Sequence, residues 1–175
     1  MKTFKQSNKY IVLLIIATVF AVAINTFIIV QSCLNANQST DAASPIVNIC
    51  KAIVNAFHKD AINDNNIGTF THVIRKLFGH FGLYAFSGLL TSWALYMWIK
   101  PLTLFKPYIY LISTLSFGFL FSLLTELIQL FTPGRSGEFS DSLIDFFGYI
   151  TGTLIILIVL FVLFKKATDK EDSNE

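Results

Sequence analysis

The stretch "TELIQLFTPGRSGEFSDSLIDFFGYITG", Thr125–Gly152, joins two of the most apolar segments of the chain, yet it carries Glu126, Gln129, Arg135, Glu138, Asp141 and Asp145. Its two ends continue outward into runs long enough to cross a bilayer. A hydrocarbon core of about 30 Å needs about 20 helical residues, and four runs reach that length: Tyr10–Val30, Leu77–Ile99, Tyr108–Phe131 and Ser142–Phe164. Open strands would leave backbone groups unsatisfied in lipid, so the runs are read as helices. The expected fold is an all-α membrane protein, a four-transmembrane-helix bundle built as a single domain over residues 1–175.

Composition agrees. Charged residues make up 14% of the chain, against about 25% in a typical soluble domain. The 18 Phe exceed what one soluble core of this length would bury. A net charge of +2 without a basic block gives no footing for nucleic acid. Tyr10–Val30 follows Lys2, Lys5 and Lys9 as a signal sequence would, but it is longer than the usual apolar signal core and is read as a retained helix.

Lys and Arg near the helix ends set the orientation. With four crossings both termini share a side, and that side collects Lys2, Lys5, Lys9, Lys100, Lys106, Lys165, Lys166 and Lys170. The other holds Lys51, Lys59, Arg75, Lys76 and Arg135. Both termini are therefore expected in the cytoplasm, with "KPLTLFKP" as an inner turn and a disordered tail over 166–175.

The outer segment, 31–71, contains one amphipathic patch. Ile46, Ile49, Ile53 and Phe57 recur at helical spacing, and Ser44-Pro45 reads as a helix start with Ser44 as its cap. A short helix on the membrane surface or on the bundle is expected there. Cys33 and Cys50 lie in the same segment, where an oxidising compartment permits a bond that the spacing does not require. Near the inner end of the second run, Trp93, Tyr96 and Trp98 read as an interfacial aromatic belt.

Depth sharpens the opening puzzle. At 1.5 Å per residue, His80 lies about 6 Å below Lys76, Glu126 about 9 Å below Thr132 and Asp145 about 6 Å below Asp141. Three helices thus bring an ionisable group to one level near the outer side. Each group also has a polar or small-residue face: His80, Tyr84, Ser87 and Thr91; Ser122, Glu126, Gln129 and Pro133; Asp141, Asp145, Gly148 and Gly152. Such faces are expected to point inward, because a charge in lipid costs at least about 2.5 kcal/mol. Gly148 and Gly152 form a small-xxx-small motif for close helix approach. "FTPGRSGEFSD" would lie over the cluster as a lid, with Ser140 or Asp141 capping the last helix.

Two blocks resemble the VanZ-like family of bacterial membrane proteins. "RKLFGHFGLYAFSGLL" carries Arg75, Lys76, Gly79, His80 and Phe81 in the family's Arg-Lys…His-Phe pattern. In the second block Glu126, Gln129, Pro133, Arg135, Asp141 and Gly148 match Glu-x-x-Gln-x-x-x-Pro-x-Arg…Asp…Gly, while Asp145 stands where many members have Asn. The resemblance implies a multi-pass protein of the bacterial cytoplasmic membrane and cell envelope. It further implies antibiotic resistance of the family's type, a lowered susceptibility to glycopeptides such as teicoplanin, through contact with cell-wall precursors or the drugs that bind them.

Three classes of function then compete. A binding module would use Arg75, Lys76, His80, Glu126, Gln129, Arg135, Asp141 and Asp145 to hold the headgroup of an anionic lipid or lipid-linked cell-wall precursor, Arg offering phosphate two parallel donors. A membrane-embedded enzyme would use His80, Glu126, Asp141 and Asp145 as acid–base groups on a lipid-linked substrate. Transport by one chain needs polar groups on the inner side, where "LIILIVLFVLF" is wholly apolar. No HExxH, GxSxG or Cys/His spacing appears, so neither metal nor cofactor is expected. The binding reading is preferred.

Overall fold

The computed structural model describes residues 8–101 and 106–172, with side chains up to Val162 in the last helix. Lys2, Lys5 and the middle of the expected inner turn lie outside the described residues, as do the side chains of Lys165, Lys166 and Lys170. The described chain is helical, in the order α1 (Asn8–Ser32), α2 (Ala36–Phe57), α3 (Ile67–Ile74), a π-helical segment (Arg75–Gly82), α4 (Leu83–Ile99), α5 (Pro107–Leu130) and α6 (Phe139–Asp172), with no strand among those residues. Among the described residues three helices are long and apolar enough to cross a membrane: Asn8–Ser32, Pro107–Leu130 and the Phe139–Val162 part of α6.

The side chains are distributed inside out. Val12, Val19 and Val22 of α1, Ile112 and Leu120 of α5, and Ile158 and Phe161 of α6 are exposed, whereas Ser87, Ser92, Thr114, Ser122, Thr125, Asp145 and Thr153 are buried. Water would penalise that arrangement. Lipid favours it, because helices in a bilayer associate through small and polar residues rather than through hydrophobic burial. Several buried hydroxyls pair across helices or with the preceding turn: Ser92 with Thr153 at 2.8 Å, and the Tyr110 hydroxyl with the Ser92 carbonyl at 3.1 Å. Asn25 of α1 donates to Thr91 Oγ1 and accepts from Ser87 Oγ, each at 2.8 Å, which ties α1 to α4.

Close approach of α4 and α6 depends on glycine. A Cβ on Gly88 would strike the backbone of Tyr149, and one on Gly152 would strike the backbone of Ala85 and Leu89. The Tyr149 ring lies against Gly118 of α5 and is fully buried. The expected small-xxx-small contact is therefore present, with Gly152 against α4 and Gly148 against the Phe81 backbone of the π-helical segment.

Several boundaries differ from expectation. α2 does not begin at Ser44-Pro45. Asn35 caps it, accepting from the Gln38 N–H at 3.0 Å while Gln38 Oε1 takes the Asn35 N–H at 3.1 Å, a reciprocal capping box. Pro45 sits inside the helix. Proline cannot donate to the carbonyl four residues back, and the Ser44 hydroxyl donates to that Asp41 carbonyl instead, at 2.8 Å. The apolar stripe of α2 is largely exposed: Ile49 and Ile53 face outward and Phe57 is 81% exposed. Cys33 and Cys50 are free thiols. Tyr96 is buried against Tyr110, with ring centroids 5.9 Å apart, rather than standing in a belt; Trp98 is exposed. The last helix starts at Phe139 and its backbone stays helical to Asp172, which corrects both the expected start at Ser142 and the expected disorder through 166–172. Neither Gly nor Pro interrupts Lys165–Asp172.

The glycine contacts generate a stability prediction. Gly152→Val forces two backbones apart and should cost about 1–3 kcal/mol. Gly79→Ala, where an added methyl meets nothing within 4 Å, should be tolerated. Melting of the detergent-purified variants checks this; equal melting temperatures would contradict the packing described.

Candidate functional site

The site is assembled where the π-helical segment, α5 and the start of α6 converge. α5 ends at Leu130, and Gly134 turns the chain with φ of 72°, a left-handed conformation that glycine adopts freely. The Arg135 N–H closes this turn on the Thr132 carbonyl at 3.1 Å. Gly137 then lies on the α5 backbone beside Glu126 and Leu130, where a side chain would not fit. The lid expected over the cluster is thus short and pinned to α5.

Two layers of charge result. In the first, Arg75 and Arg135 converge on one neutral group: Arg75 Nη2 and Arg135 Nη1 each donate to Ser39 Oγ at 2.9 Å. Arg135 also donates to Gln129 Oε1. Among the described residues neither guanidinium has a carboxylate within ion-pairing distance. Burial, and then the nearby Arg75 charge, lower the pKa of Arg135 from the ordinary guanidinium value, yet such a group stays protonated at neutral pH. Arg135 does not pair with Glu126. That carboxylate instead accepts the Glu138 backbone N–H through Oε2 at 3.0 Å.

The second layer lies one turn further along. Lys76 binds Asp141 and lies 4.0 Å from Glu138. Asp141 is therefore in the first turn of α6 serving Lys76 rather than capping the helix. His80 Nδ1 is 3.0 Å from Asp145 Oδ1 and 3.7 Å from Glu126 Oε1, and its Nε2 is 3.9 Å from Asp141 Oδ2. Below them the Tyr84 hydroxyl pairs with Thr125. All eight candidate residues named from the sequence thus lie in one connected patch. Ser39 was not among them. It lies in a polar stretch of ordinary composition, 36 and 96 residues from its two arginines, and nothing local marks it.

Two cavities adjoin the patch. The larger, about 480 Å³, has walls from Phe27, Ile28, Ile46, Phe78 and Leu83, with Arg75, Arg135, His80 and Gln129 at its polar end. The smaller, about 150 Å³, is bounded by polar groups including Lys76, Glu138 and Asp141, and shares those same four polar residues. Chemically, the larger cavity offers an apolar chamber with a cationic mouth.

The family model described as VanZ/LLP1 matches residues 10–163. No curated protein and no solved structure matches the chain.

His80 faces three carboxylates, so its removal should matter more than a neutral swap of one of them. His80→Ala strips the carboxylates of their imidazole, and losing one partner of a buried ion pair typically costs about 3–5 kcal/mol. Asp145→Asn keeps an acceptor for His80 and should cost less. Thermal melting of both variants in the same detergent checks the order; a His80→Ala protein as stable as wild type would show that the cluster holds nothing together.

Proposed function

This chain belongs to the VanZ/LLP1 family, and from that premise we propose that it acts in the bacterial cytoplasmic membrane by binding the anionic headgroup of a lipid or lipid-linked cell-wall precursor, thereby lowering susceptibility to glycopeptide antibiotics such as teicoplanin. The observation that carries this reading is the arginine pair. Arg75 and Arg135 share a neutral hydroxyl, lack a carboxylate partner among the described residues, and stand at the mouth of a largely apolar cavity. An amphipathic anion matches both halves: a phosphate or pyrophosphate meets the guanidinium forks, and its chain enters between α1, α2 and the π-helical segment. Lys76, His80, Glu126, Gln129, Asp141 and Asp145 complete the site, setting its charge and the position of the arginines.

In this reading the chain crosses four times. The fourth crossing is α4 with the π-helical segment, which packs among α1, α5 and α6. Both termini are cytoplasmic, so the arginine mouth opens toward the outer leaflet, where drug-bound precursors reside.

Topology is tested by single cysteines in a chain with Cys33 and Cys50 replaced. Cysteines at the exposed positions Asn65 and Ser136 should react with an impermeant thiol reagent on intact cells, and cysteines at Lys9 and Lys106 should not. The reverse pattern would put the site on the wrong face.

Binding is tested with protein in zwitterionic nanodiscs and a polyprenyl pyrophosphate as probe. Arg135→Ala removes charge-assisted hydrogen bonds worth about 1.5–3 kcal/mol each, so affinity should fall about ten- to hundredfold. Arg135→Lys should fall less, and both losses should shrink as salt rises, because screening weakens the wild-type contact itself. Equal binding by wild type and Arg135→Ala would remove the arginine from the site. Mass spectrometry of the recovered lipid separates the second reading, an acid–base enzyme using His80, Glu126, Asp141 and Asp145. That reading is favoured by the His80–Asp145 contact and requires a covalently changed lipid that His80→Ala leaves intact.

A further inference from the structure

Headgroup binding by the arginines leaves two buried oxygens unexplained. Glu126 is 5% exposed and Asp145 is 0% exposed, yet Glu126 Oε1 and Asp145 Oδ2 have no hydrogen-bond donor. The cations around them are committed elsewhere. Lys76 is on Asp141, and the two arginines are on Ser39 and Gln129. A helix clamp made only of hydrogen bonds would not abandon two carboxylate oxygens in the driest part of the site, since an unsatisfied buried polar group costs more than a formed bond returns. One imidazole facing two acids is also too little positive charge for the layer.

We infer that His80, Glu126 and Asp145 form a binding site for a divalent transition cation of the zinc or manganese class. One nitrogen from the π-helical segment and one carboxylate oxygen each from α5 and α6 lie within 4.8 Å of one another. Atoms that share an ion at about 2.1 Å can stand up to about 4.2 Å apart, so a small rotation of the carboxylates closes the set around a metal. The separations to His80 Nδ1, 3.0 and 3.7 Å, already fit. Mixed nitrogen and oxygen donors select against calcium and magnesium, which take oxygen alone, and the absence of thiolate from the set selects against soft ions. Ligation through Nδ1 leaves Nε2–H to point at Asp141 Oδ2, now 3.9 Å away, the carboxylate–histidine–metal relay common to such sites. The Glu138 N–H on Glu126 Oε2 fixes the second ligand in the same way. Three protein ligands leave coordination positions open. Because His80 borders both cavities, an ion has a route in and its open positions face whatever occupies the arginine mouth.

The test uses the full chain in zwitterionic nanodiscs, stripped with a chelator, with Mn²⁺ alone as the probe. Titration followed by electron paramagnetic resonance should show one saturable Mn²⁺ per chain, displaced by Zn²⁺, with a nitrogen coupling from a single imidazole. Glu126→Gln and Asp145→Asn should each weaken binding at least about tenfold, and His80→Gln should abolish the nitrogen coupling. Glu126→Gln keeps the shape and its Glu138 contact, so it decides the matter even if another variant folds poorly. No saturable site in wild type, or unchanged binding in Glu126→Gln, would overturn the inference and leave a proton as the shared cation of the cluster. Arg135→Ala should bind Mn²⁺ as wild type does, so failure of this site and failure of headgroup binding are read separately.

Discussion

A charge that leaves water must meet its opposite, and in this chain that requirement organises one end of the bundle. Glu126 and Asp145 are buried on two helices, and the imidazole that faces both stands on a third. None of the three can rotate toward lipid without stranding the others. The rotational setting of α5, α6 and the π-helical segment is thereby fixed at one level. The glycines at 88 and 152 then permit, further down, the close contact that this setting demands. Apolar bulk turned outward contributes little to specifying the arrangement, because lipid receives a leucine or valine in many orientations equally well.

That division explains what could be read from the sequence. Apolar runs are local, so α1, α5 and the apolar part of α6 were legible within a few residues of their ends. Polar faces at helical spacing are also local, and they brought Glu126, Asp145 and His80 to one depth before any contact was known. The start of α2 was misplaced because Ser44-Pro45 is a conspicuous local signal, while the Asn35–Gln38 capping box that prevails is a quieter one. Ser39 was invisible for a different reason: its role exists only through partners on distant elements. The change from α to π geometry at Arg75 was likewise unreadable, since no residue pattern in the local sequence distinguishes a π turn from an α turn.

Helix α2 joins the two halves of the site. Its Ser39 hydroxyl is the acceptor for both guanidiniums, and its Ile46 closes one wall of the larger cavity. Any anion that takes over those guanidinium donors competes with Ser39. Occupancy of the mouth and attachment of α2 are therefore linked equilibria, and each must alter the other by the same free energy. The exposed Ile49, Ile53 and Phe57 give α2 an apolar edge of its own, so a detached α2 would retain affinity for the bilayer surface.

The π-helical segment carries a further consequence, for the lineage rather than for the molecule at rest. A π turn holds more residues than the α turn it replaces. Losing one residue between Arg75 and Gly82 would let the helix relax to α geometry with its two flanks held in nearly the same register, whereas losing one residue from α4 itself would swing everything on its amino-terminal side by about 100°. Arg75 would leave Ser39, and α3 would carry α2 away from the mouth. Substitution can tune this site one side chain at a time, whereas a single-codon deletion in α4 dismantles it in one step; the π-helical segment is where length should be freest to drift.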